Sequence, residues 1–407
     1  MTGQIAIEEI ERKRQKIDSL SQYIWNHPEA GFKEYKAQEK VADLLREEGF
    51  QVETGAGGVP TAIKAVYGSG HPVMGFLGEF DALPGLSQKV SVNKEPVEGQ
   101  PYGHGCGHNL LCSAHVAGVI GLKEEMIQRN LPGTIVFYAC PGEELLTGKP
   151  LMAKGGAFEG LDVAVNFHPN KINEATVGVS TAVNSAKFHF YGKASHAANA
   201  PENGRSALDA VELTDIGANY LREHVPSDVR IHYTIVDGGV APNIVPDKAV
   251  VWYYMRAFSR EVVENVYERL VKVAKGAAMM TETEVEIIEE KKVDNKIPVL
   301  TLNDLVMKQA EELHAPQLAP AREKTGSTDF GNVMRRVPGT CARIAFVDPG
   351  AAAHSQEYIA AGKTDAAHDA VVYGAKILAG TALELIEDPE LLNRVKTEFK
   401  ENLAKEN

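Results

Sequence analysis

A short glycine-rich segment brings together side chains that commonly bind metal ions. His104, Cys106 and His108 alternate with glycines within residues 102–109. Sulfur and imidazole nitrogen are favoured ligands of zinc-like ions, and glycines let a loop fold closely around an ion. A cluster this short is also compatible with a structural role, and the histidines cannot all be ligands. We expect His115, in an apolar helical stretch, to be a packed core histidine.

Two adjacent carboxylates follow an apolar segment that ends at Cys140. They are Glu143 and Glu144, and the segment itself is predicted to be a strand. Open α/β sheets place their sites at the carboxyl ends of strands. There, one glutamate can bind a metal ion while its neighbour acts as general base. The alternative is a solvated acidic loop.

Residues of the same kinds end three further apolar strands. The acidic pair Glu79 and Asp81 follows one strand, His168 closes another, and His354 lies in the loop after a third. A lone histidine usually has a structural role. Four strands that each end in a candidate ligand or base are harder to attribute to chance. The pattern therefore predicts a metal site at one edge of a sheet.

The elements that must position these side chains alternate between helix and strand. Helical periodicity is found at 5–25, 35–48, 109–128, 302–313 and 366–387. Strand-like runs are found at 62–67, 73–78, 134–139, 163–167 and 342–346. This alternation predicts an α/β domain with much parallel pairing. The charged residues 394–407 are expected to be a solvated helix end.

A different pattern interrupts this domain. Its order is strand, helix, two strands, helix and strand, at 186–191, 206–223, 229–236, 248–255, 260–275 and 284–288. Such a β-α-β-β-α-β order is the split arrangement of a ferredoxin-like module. We therefore predict a catalytic domain formed by residues 1–183 and 297–407, with residues 184–296 inserted between its two parts.

Composition excludes several classes of partner. The chain has 407 residues, enough for about two domains. Its 42 basic and 55 acidic side chains give a net charge of −13, so it has no electrostatic reason to bind nucleic acid. No apolar run suggests a membrane span or a signal peptide. With four cysteines, too few for a disulfide scaffold, a cytoplasmic protein is predicted.

Several motifs resemble those of the two-metal amidohydrolases, a family that includes aminoacylases, glutamate-releasing carboxypeptidases and auxin-conjugate hydrolases. They are Gly-Glu-Phe-Asp-Ala-Leu-Pro, Gly-His-Gly-Cys-Gly-His-Asn, Pro-Gly-Glu-Glu, Asn-Phe-His-Pro, Gly-Lys-Ala-Ser-His-Ala-Ala, Ala-Pro-Asn-Ile-Val-Pro and Gly-Ser-Thr-Asp, in the family's order over nearly the whole chain. The chain most resembles the branch of the aminobenzoyl-glutamate hydrolases and related dipeptidases, since Glu79 and Asn109 replace aspartates of the auxin-conjugate branch. The resemblance implies a di-metal exopeptidase-like catalytic domain with an inserted lid domain that commonly dimerises.

The resemblance also implies roles for the matching residues of the catalytic domain. The ligands of two divalent ions, zinc or manganese, would be Cys106, His108, Glu144, His168 and His354. The Cys106 thiolate would lie at or near a bridging position. Glu143 would be the general base, and Asp81 would orient the metal ligands.

Three further candidates lie in the predicted lid. By resemblance, His196 would reach a partner subunit's site and polarise the scissile carbonyl, and Asn243 would help to hold the substrate. Arg256 ends a predicted strand and could pair with a substrate carboxylate, because guanidinium matches carboxylate geometry. A surface salt bridge is the alternative for Arg256. These roles predict a homodimer that forms through the lid.

Together these features predict a metal-dependent amidohydrolase. It would cleave the amide bond of an N-acyl or aryl-acyl amino acid, or of a dipeptide, and release a free amino acid. One alternative is hydrolysis of another C–N bond at the same metal site, such as arylamine deamination. Another is a non-catalytic metal-binding subunit of a hetero-oligomer. The presence of Glu143 argues against this last function, because such a subunit could lose its base at no cost to folding.

Overall fold

The computed structural model describes residues 3–85, 101–175, 178–315, 318–319 and 324–406. Contacts within this part of the chain define two compact units. The main unit contains the described residues up to Val179 and those of Lys296–Lys405. The inserted unit contains Ser180–Asn295 and Glu406. No helix among the described residues is long and apolar enough to cross a membrane.

Helices and strands are numbered here in chain order. The helices are α1 (Gln4–Arg12), α2 (Arg14–Asn26), α3 (Tyr35–Glu47), α4 (His108–Arg129), α5 (Gly148–Lys154), α6 (Ala207–Leu221), α7 (Arg260–Thr281), α8 (Leu300–Glu312), α9 (Gly331–Met334), α10 (Gln356–Ala361), α11 (Asp365–Glu387) and α12 (Pro389–Ala404). The strands are β1 (Gln51–Thr54), β2 (Ile63–Ser69), β3 (Val73–Glu79), β4 (Leu83–Pro84), β5 (Tyr102–Gly103), β6 (Gly133–Cys140), β7 (Val163–Asn170), β8 (Glu174–Ala175), β9 (Val179–Ser180), β10 (Ala182–Tyr191), β11 (Arg230–Asp237), β12 (Lys248–Ala257), β13 (Glu284–Val293), β14 (Lys324–Thr325) and β15 (Gly339–Ala345).

A seven-stranded sheet with the order β1-β2-β6-β3-β7-β15-β8 organises the described part of the main unit. Its centre, β6-β3-β7-β15, is parallel, whereas the outer pairs are antiparallel. The four central strands are those whose ends carry the candidate ligands and bases. Because they run in the same direction, their carboxyl ends lie at one edge of the sheet. This arrangement confirms the predicted α/β fold class.

Both faces of this sheet are covered, so the central strands are buried on both sides. Successive residues of β6 belong to different core clusters: Ile135 and Phe137 pack on the side of α4 and α11, and Val136 and Tyr138 on the side of α5 and α9. Residues on all sides of α4 are buried, because this helix contacts α1, α2, α11 and the sheet. The site-bearing strand ends therefore extend from a rigid, fully packed layer.

The inserted unit has the predicted β-α-β-β-α-β order. Its four strands form an antiparallel sheet in the order β11-β12-β10-β13. Helices α6 and α7 pack on one face, over a core that includes Phe188, Tyr253 and Leu270. This topology confirms the ferredoxin-like module.

Two segments differ from the sequence prediction. The predicted helix 5–25 is divided at Lys13 into α1 and α2, and both of these helices contact α4. A bend there lets each helix turn its own apolar face inward. The prediction of a solvated C-terminal helix end is wrong for one face of α12, where Leu392, Val395 and Phe399 are buried. Their spacing is that of an amphipathic helix.

Candidate metal centre and active site

The turn between β5 and α4 presents Cys106 and His108. Gly107 between them has a φ of 78°, and a Cβ atom there would lie 2.7 Å from the Pro169 side chain. Only glycine adopts this backbone conformation readily at such a close approach. Helix α4 then begins at His108 itself. The glycine thus turns the two side chains on either side of it into the same buried region.

Asp81 orients both His108 and the loop that follows β6. The His108 Nδ1 atom lies 2.9 Å from Asp81 Oδ1 and 3.0 Å from the Asp81 carbonyl oxygen, and both are acceptors, so Nδ1 carries the proton. The other Asp81 oxygen accepts from the Glu144 amide at 2.9 Å. The Nε2 lone pair of neutral His108 therefore points away from Asp81, as in a metal-ligating histidine.

His168, near the end of β7, is held in the same way. Its Nδ1 donates to the Pro169 carbonyl oxygen at 2.7 Å, and its Nε2 lies 3.5 Å from the Cys106 sulfur. Burial lowers the pKa of His168 to about 3, with a further contribution from Arg343. The ring is thus neutral, with the Nε2 lone pair directed at the thiol.

His354 approaches from the loop after β15. Its backbone φ is 61°, a left-handed conformation that is uncommon for residues other than glycine, and its amide donates to the Gly105 carbonyl oxygen at 3.0 Å. Its Nε2 lies 3.7 Å from Glu144 Oε2. Unusual backbone conformations of this kind cluster at functional sites. This strained turn places an imidazole next to the Glu144 carboxylate.

Glu143 lies in the turn between β6 and α5, which is called the base turn below. Its Oε1 accepts from the Thr328 hydroxyl at 3.2 Å. Burial, followed by the neighbouring charges of Glu79 and Asp329, raises the pKa of Glu143 well above its ordinary value. Gly148 closes the turn, since a Cβ atom there would lie 1.6 Å from the Pro141 carbonyl oxygen. The chain can therefore fold back only with glycine at this position.

The donor atoms form three groups that could hold a metal ion among the described residues. They are Cys106 with His108 and His168, Cys106 with Glu144 and His354, and Glu79 with His108 and Glu143; within each group, the ligand atoms lie within 4.8 Å of one another. The first two groups share Cys106. All five predicted ligands are thus brought together, and Glu79 and Glu143 adjoin them. His104 and His115 belong to none of these groups.

These donors fit a divalent metal centre. His108 Nε2, Glu144 Oε1 and Glu79 Oε2 are buried and lack a hydrogen-bond partner in the structure. His108 Nε2 lies 3.8 Å from Glu144 Oε1 and 3.4 Å from Glu79 Oε2. Buried lone pairs that face one another are costly unless a cation lies among them. Thiolate, imidazole and carboxylate are also the ligand types that zinc-like ions accept.

Sequence reasoning assigned no role to Lys149. This residue lies close to the base turn, and its ammonium is placed between Glu79 and Asp329 at 2.6 Å from each carboxylate. All three side chains are almost completely buried. The acidic residues end a strand and a motif that sequence reasoning did single out. The lysine gave no comparable signal.

Glu34 is a second residue that sequence reasoning missed. Its two carboxylate oxygens accept from the Gly142 amide at 3.0 Å and from the Thr61 hydroxyl at 2.8 Å. The Gly142 amide immediately precedes Glu143, so Glu34 holds the base turn from behind. Burial, with a smaller contribution from Asp81, raises the pKa of Glu34 from 4.5 to about 7.

We expect this raised pKa to make stability depend on pH. Between pH 4.5 and about 7 the unfolded chain loses the Glu34 proton before the folded one, so stability present below pH 4.5 is lost as pH rises. Glu34→Gln should avoid this loss and gain about 3 kcal/mol over wild type between pH 5 and 8. Urea unfolding at both pH values tests this. Glu48→Gln is the matched control of opposite sign, because Lys13 and Lys16 outweigh burial and lower the pKa of Glu48. An equal pH response of Glu34→Gln and wild type would contradict the assignment.

The remaining predicted residues lie in the inserted unit. The loops that carry His196 and Asn243 pair with each other: the Ala197 amide donates to the Asn243 carbonyl oxygen at 3.0 Å, and His196 and Ile244 form an antiparallel bridge. The Ala198 amide lies 3.3 Å from His196 Nδ1, and the Asn199 amide 3.2 Å. Because both amides are donors, Nδ1 is unprotonated, and the proton of the neutral ring is on Nε2.

Arg256 lies on the strand next to the end of the inserted sheet. Its guanidinium carbon is 5.4 Å from the centre of the Tyr254 ring. In the register of β12, it pairs with Val183 on one side and Arg230 on the other. The side chain is half-buried on this surface.

Comparison with known proteins agrees with the class that fold and donors define, a metal-dependent hydrolase. Residues 182–279 match the peptidase dimerisation domain. One of the subunits of the p-aminobenzoyl-glutamate hydrolase of Escherichia coli K12 is 35% identical, over 96% of this chain and 93% of its own length. Xaa-Arg dipeptidase of Mus musculus is 33% identical, over 98% of this chain and 93% of its own length.

A solved structure shows the same fold. A dinuclear metal-binding peptidase of the M20 family from Bacillus subtilis superposes with a TM-score of 0.69 at 20% identity, over 93% of this chain and 99% of that one. The chain belongs to the M20 family and is a metal-dependent amidohydrolase. The predicted family, fold class and class of enzyme are thereby confirmed.

Proposed function

We propose that the protein hydrolyses the amide bond of an N-acyl or aryl-acyl amino acid, or of a dipeptide, and releases a free amino acid. The observation that carries the proposal is the convergence of Cys106, His108, Glu144, His168 and His354 beside Glu143 at one edge of the sheet. The names of the two relatives describe substrates of this kind, p-aminobenzoyl-glutamate and Xaa-Arg dipeptides. In both, an amino acid is joined through its amine.

Two divalent ions, zinc or manganese, would be held by the two donor groups that share Cys106. One group adds His108 and His168, and the other adds Glu144 and His354. Bound ions of this kind polarise a carbonyl and lower the pKa of water. The proton positions support the proposal, because His108 and His168 both keep Nδ1 for a protein acceptor and leave Nε2 as a ligand atom.

Glu143 is proposed as the general base. It would take a proton from the attacking water and return it to the departing amine. Its Oε1 is positioned by Thr328, while Oε2 lies 4.0 Å from His108 Nε2 and so faces the donor cluster. Asp81 acts through others, since it fixes the His108 ring and the Glu144 amide.

His196, Asn243 and Arg256 are proposed to act on the substrate. His196 would donate its Nε2 proton to the oxygen of the scissile carbonyl; such donors typically contribute about 3–4 kcal/mol. The amides at Nδ1 support this role, because they fix the proton on the outer nitrogen. Asn243 would hold the substrate from the loop paired with that of His196, and Arg256 would bind a substrate carboxylate.

The inserted unit is proposed to join two copies of the chain. It contains the match to a peptidase dimerisation domain, and its edge strand β11 exposes Ile235 and Val236. On α6, Ile216 and Tyr220 are exposed as well. Exposed apolar patches and unpaired strand edges are typical of association surfaces. We propose a cytoplasmic homodimer, in keeping with four free cysteines.

A substrate panel tests the proposed function. Purified protein is loaded with manganese or zinc and incubated with N-acyl amino acids, aryl-acyl amino acids and dipeptides, and both products are detected by mass spectrometry. We expect a carboxylic acid and a free amino acid in equal amounts from at least one substrate. Ammonia without a free amino acid would instead indicate deamination. No product from any class, despite bound metal, would contradict the proposal.

A further inference from the structure

The ammonium of Lys149 is a buried charge inside the acidic cluster. It lies 2.6 Å from Glu79 Oε1 and 2.6 Å from Asp329 Oδ1, and the Lys149 backbone amide donates to Asp329 Oδ2 at 3.0 Å. The side chains of Lys149 and Asp329 have no exposed surface, and Glu79 is 2% exposed. Three separate elements thus meet at one cation: the end of β3, the start of α5 and the turn before α9.

This cation borders the third group of possible metal ligands. Glu79 uses Oε1 for Lys149, while its Oε2 lies 3.4 Å from His108 Nε2. Together with Glu143, these atoms satisfy the distance requirement for a metal site. The chain therefore contains ligand atoms for more ions than the two that share Cys106. At this third group alone, a protein ammonium is bound to one of the ligands among the described ion pairs.

Electrostatics explains what the lysine does there. Two buried carboxylates without a cation would be strongly destabilised, because charges in a poorly hydrated interior need a partner. Burial acts to lower the pKa of Lys149, but Asp329 and Glu79 outweigh it and hold that pKa well above the ordinary value. The ammonium is therefore permanent, whereas an ion from solution can leave.

We propose that Lys149 is a positioning residue that supplies a built-in third cation, which holds Glu79 outside the metal shells and limits the centre to two ions. The inference rests on the two-ion centre proposed above. Its consequence is that the carboxylates of Glu79 and Asp329 become available to a further divalent ion only when the ammonium is removed.

Counting manganese ions tests this inference. The full-length protein is stripped with chelator and dialysed against manganese alone, and bound metal per chain is measured by mass spectrometry. We expect two ions for wild type and three for Lys149→Met, because the freed carboxylates are the oxygen ligands that manganese accepts. Lys149→Arg, which keeps a cation, and Lys149→Met combined with Glu79→Gln, which removes the ligand, should both bind two.

Thermal unfolding supplies a second readout. Lys149→Met should unfold at a lower temperature than wild type without metal, and manganese should raise its midpoint by more than it raises that of wild type. A purely structural lysine predicts the same loss with and without manganese. The triple variant Glu79→Gln, Lys149→Met, Asp329→Asn removes all three charges and shows whether the packing tolerates methionine.

The outcomes separate this inference from the proposed function. A wild-type count below two ions contradicts the two-ion centre. An equal count in wild type and Lys149→Met, with an equal midpoint loss in both conditions, overturns the role of Lys149. A Lys149→Met protein that stays unfolded even with manganese, while the triple variant folds, overturns it as well.

Discussion

Replacing Glu143 by glutamine should lower turnover by about 100-fold or more, while the protein keeps its metal ions. The amide has the size of the carboxylate and still accepts from the Thr328 hydroxyl, which donates to Glu143 Oε1 in the wild type. It cannot take a proton from water, however. The measurement is kcat together with metal content in the same preparation, because only a base should separate the two.

The adjacent residue provides the matched control. Glu144→Gln changes the same functional group one position along, but Glu144 lies in a donor group with Cys106 and His354. We expect this variant to lose metal as well as activity, since the charge and ligand strength of the carboxylate are lost together. Near wild-type turnover of Glu143→Gln would remove Glu143 from the mechanism. Metal loss in Glu143→Gln would show that it acts as a ligand.

The second large effect is expected at His196. If this residue serves the partner subunit's site, His196→Ala and Glu143→Gln should each be nearly inactive as homodimers. Mixing the two variants and allowing the subunits to exchange should restore about a quarter of wild-type activity, because half of the dimers are then mixed and one site in each is complete. The complete site combines Glu143 of the His196→Ala chain with His196 of the other.

The same mixture distinguishes the alternatives. If His196 acts within its own chain, every site lacks one of the two groups, and activity stays near zero after exchange. If His196 is only a surface residue, His196→Ala alone is nearly as active as wild type. His196→Gln is a useful companion variant, because its amide can still donate a hydrogen bond and should retain part of the activity.

The candidate site was largely predictable from the sequence because its residues follow apolar strands. Asp81, Glu143, Glu144 and His168 lie at or just beyond the ends of β3, β6 and β7, and parallel strands bring such ends together whatever their separation in the chain. The ligand function of Cys106 and the lid roles came from resemblance, since spacing alone left a structural cluster as an equal alternative. For the fold, alternation and periodicity were sufficient.

What the sequence did not reveal are partners that are far apart along the chain. Lys149 and Asp329 are 180 residues apart, and a lysine at the start of a short helix looks like a solvated charge. Glu34 reaches the Gly142 amide across 108 residues and precedes an amphipathic helix in the same manner. The faces of α12 were misjudged because charged residues outnumber its buried apolar ones. Only packing shows that these side chains face inward.

One measurement tests the central claim, hydrolysis at a two-ion centre, most directly. Chelator-stripped protein is titrated with manganese in water enriched in oxygen-18, and the released carboxylic acid is analysed by mass spectrometry after a single turnover. The account predicts no product without metal, product that rises until two ions are bound per chain, and one oxygen-18 atom in the new carboxylate. Product formed by the metal-free protein, or a carboxylate without oxygen-18, would contradict it.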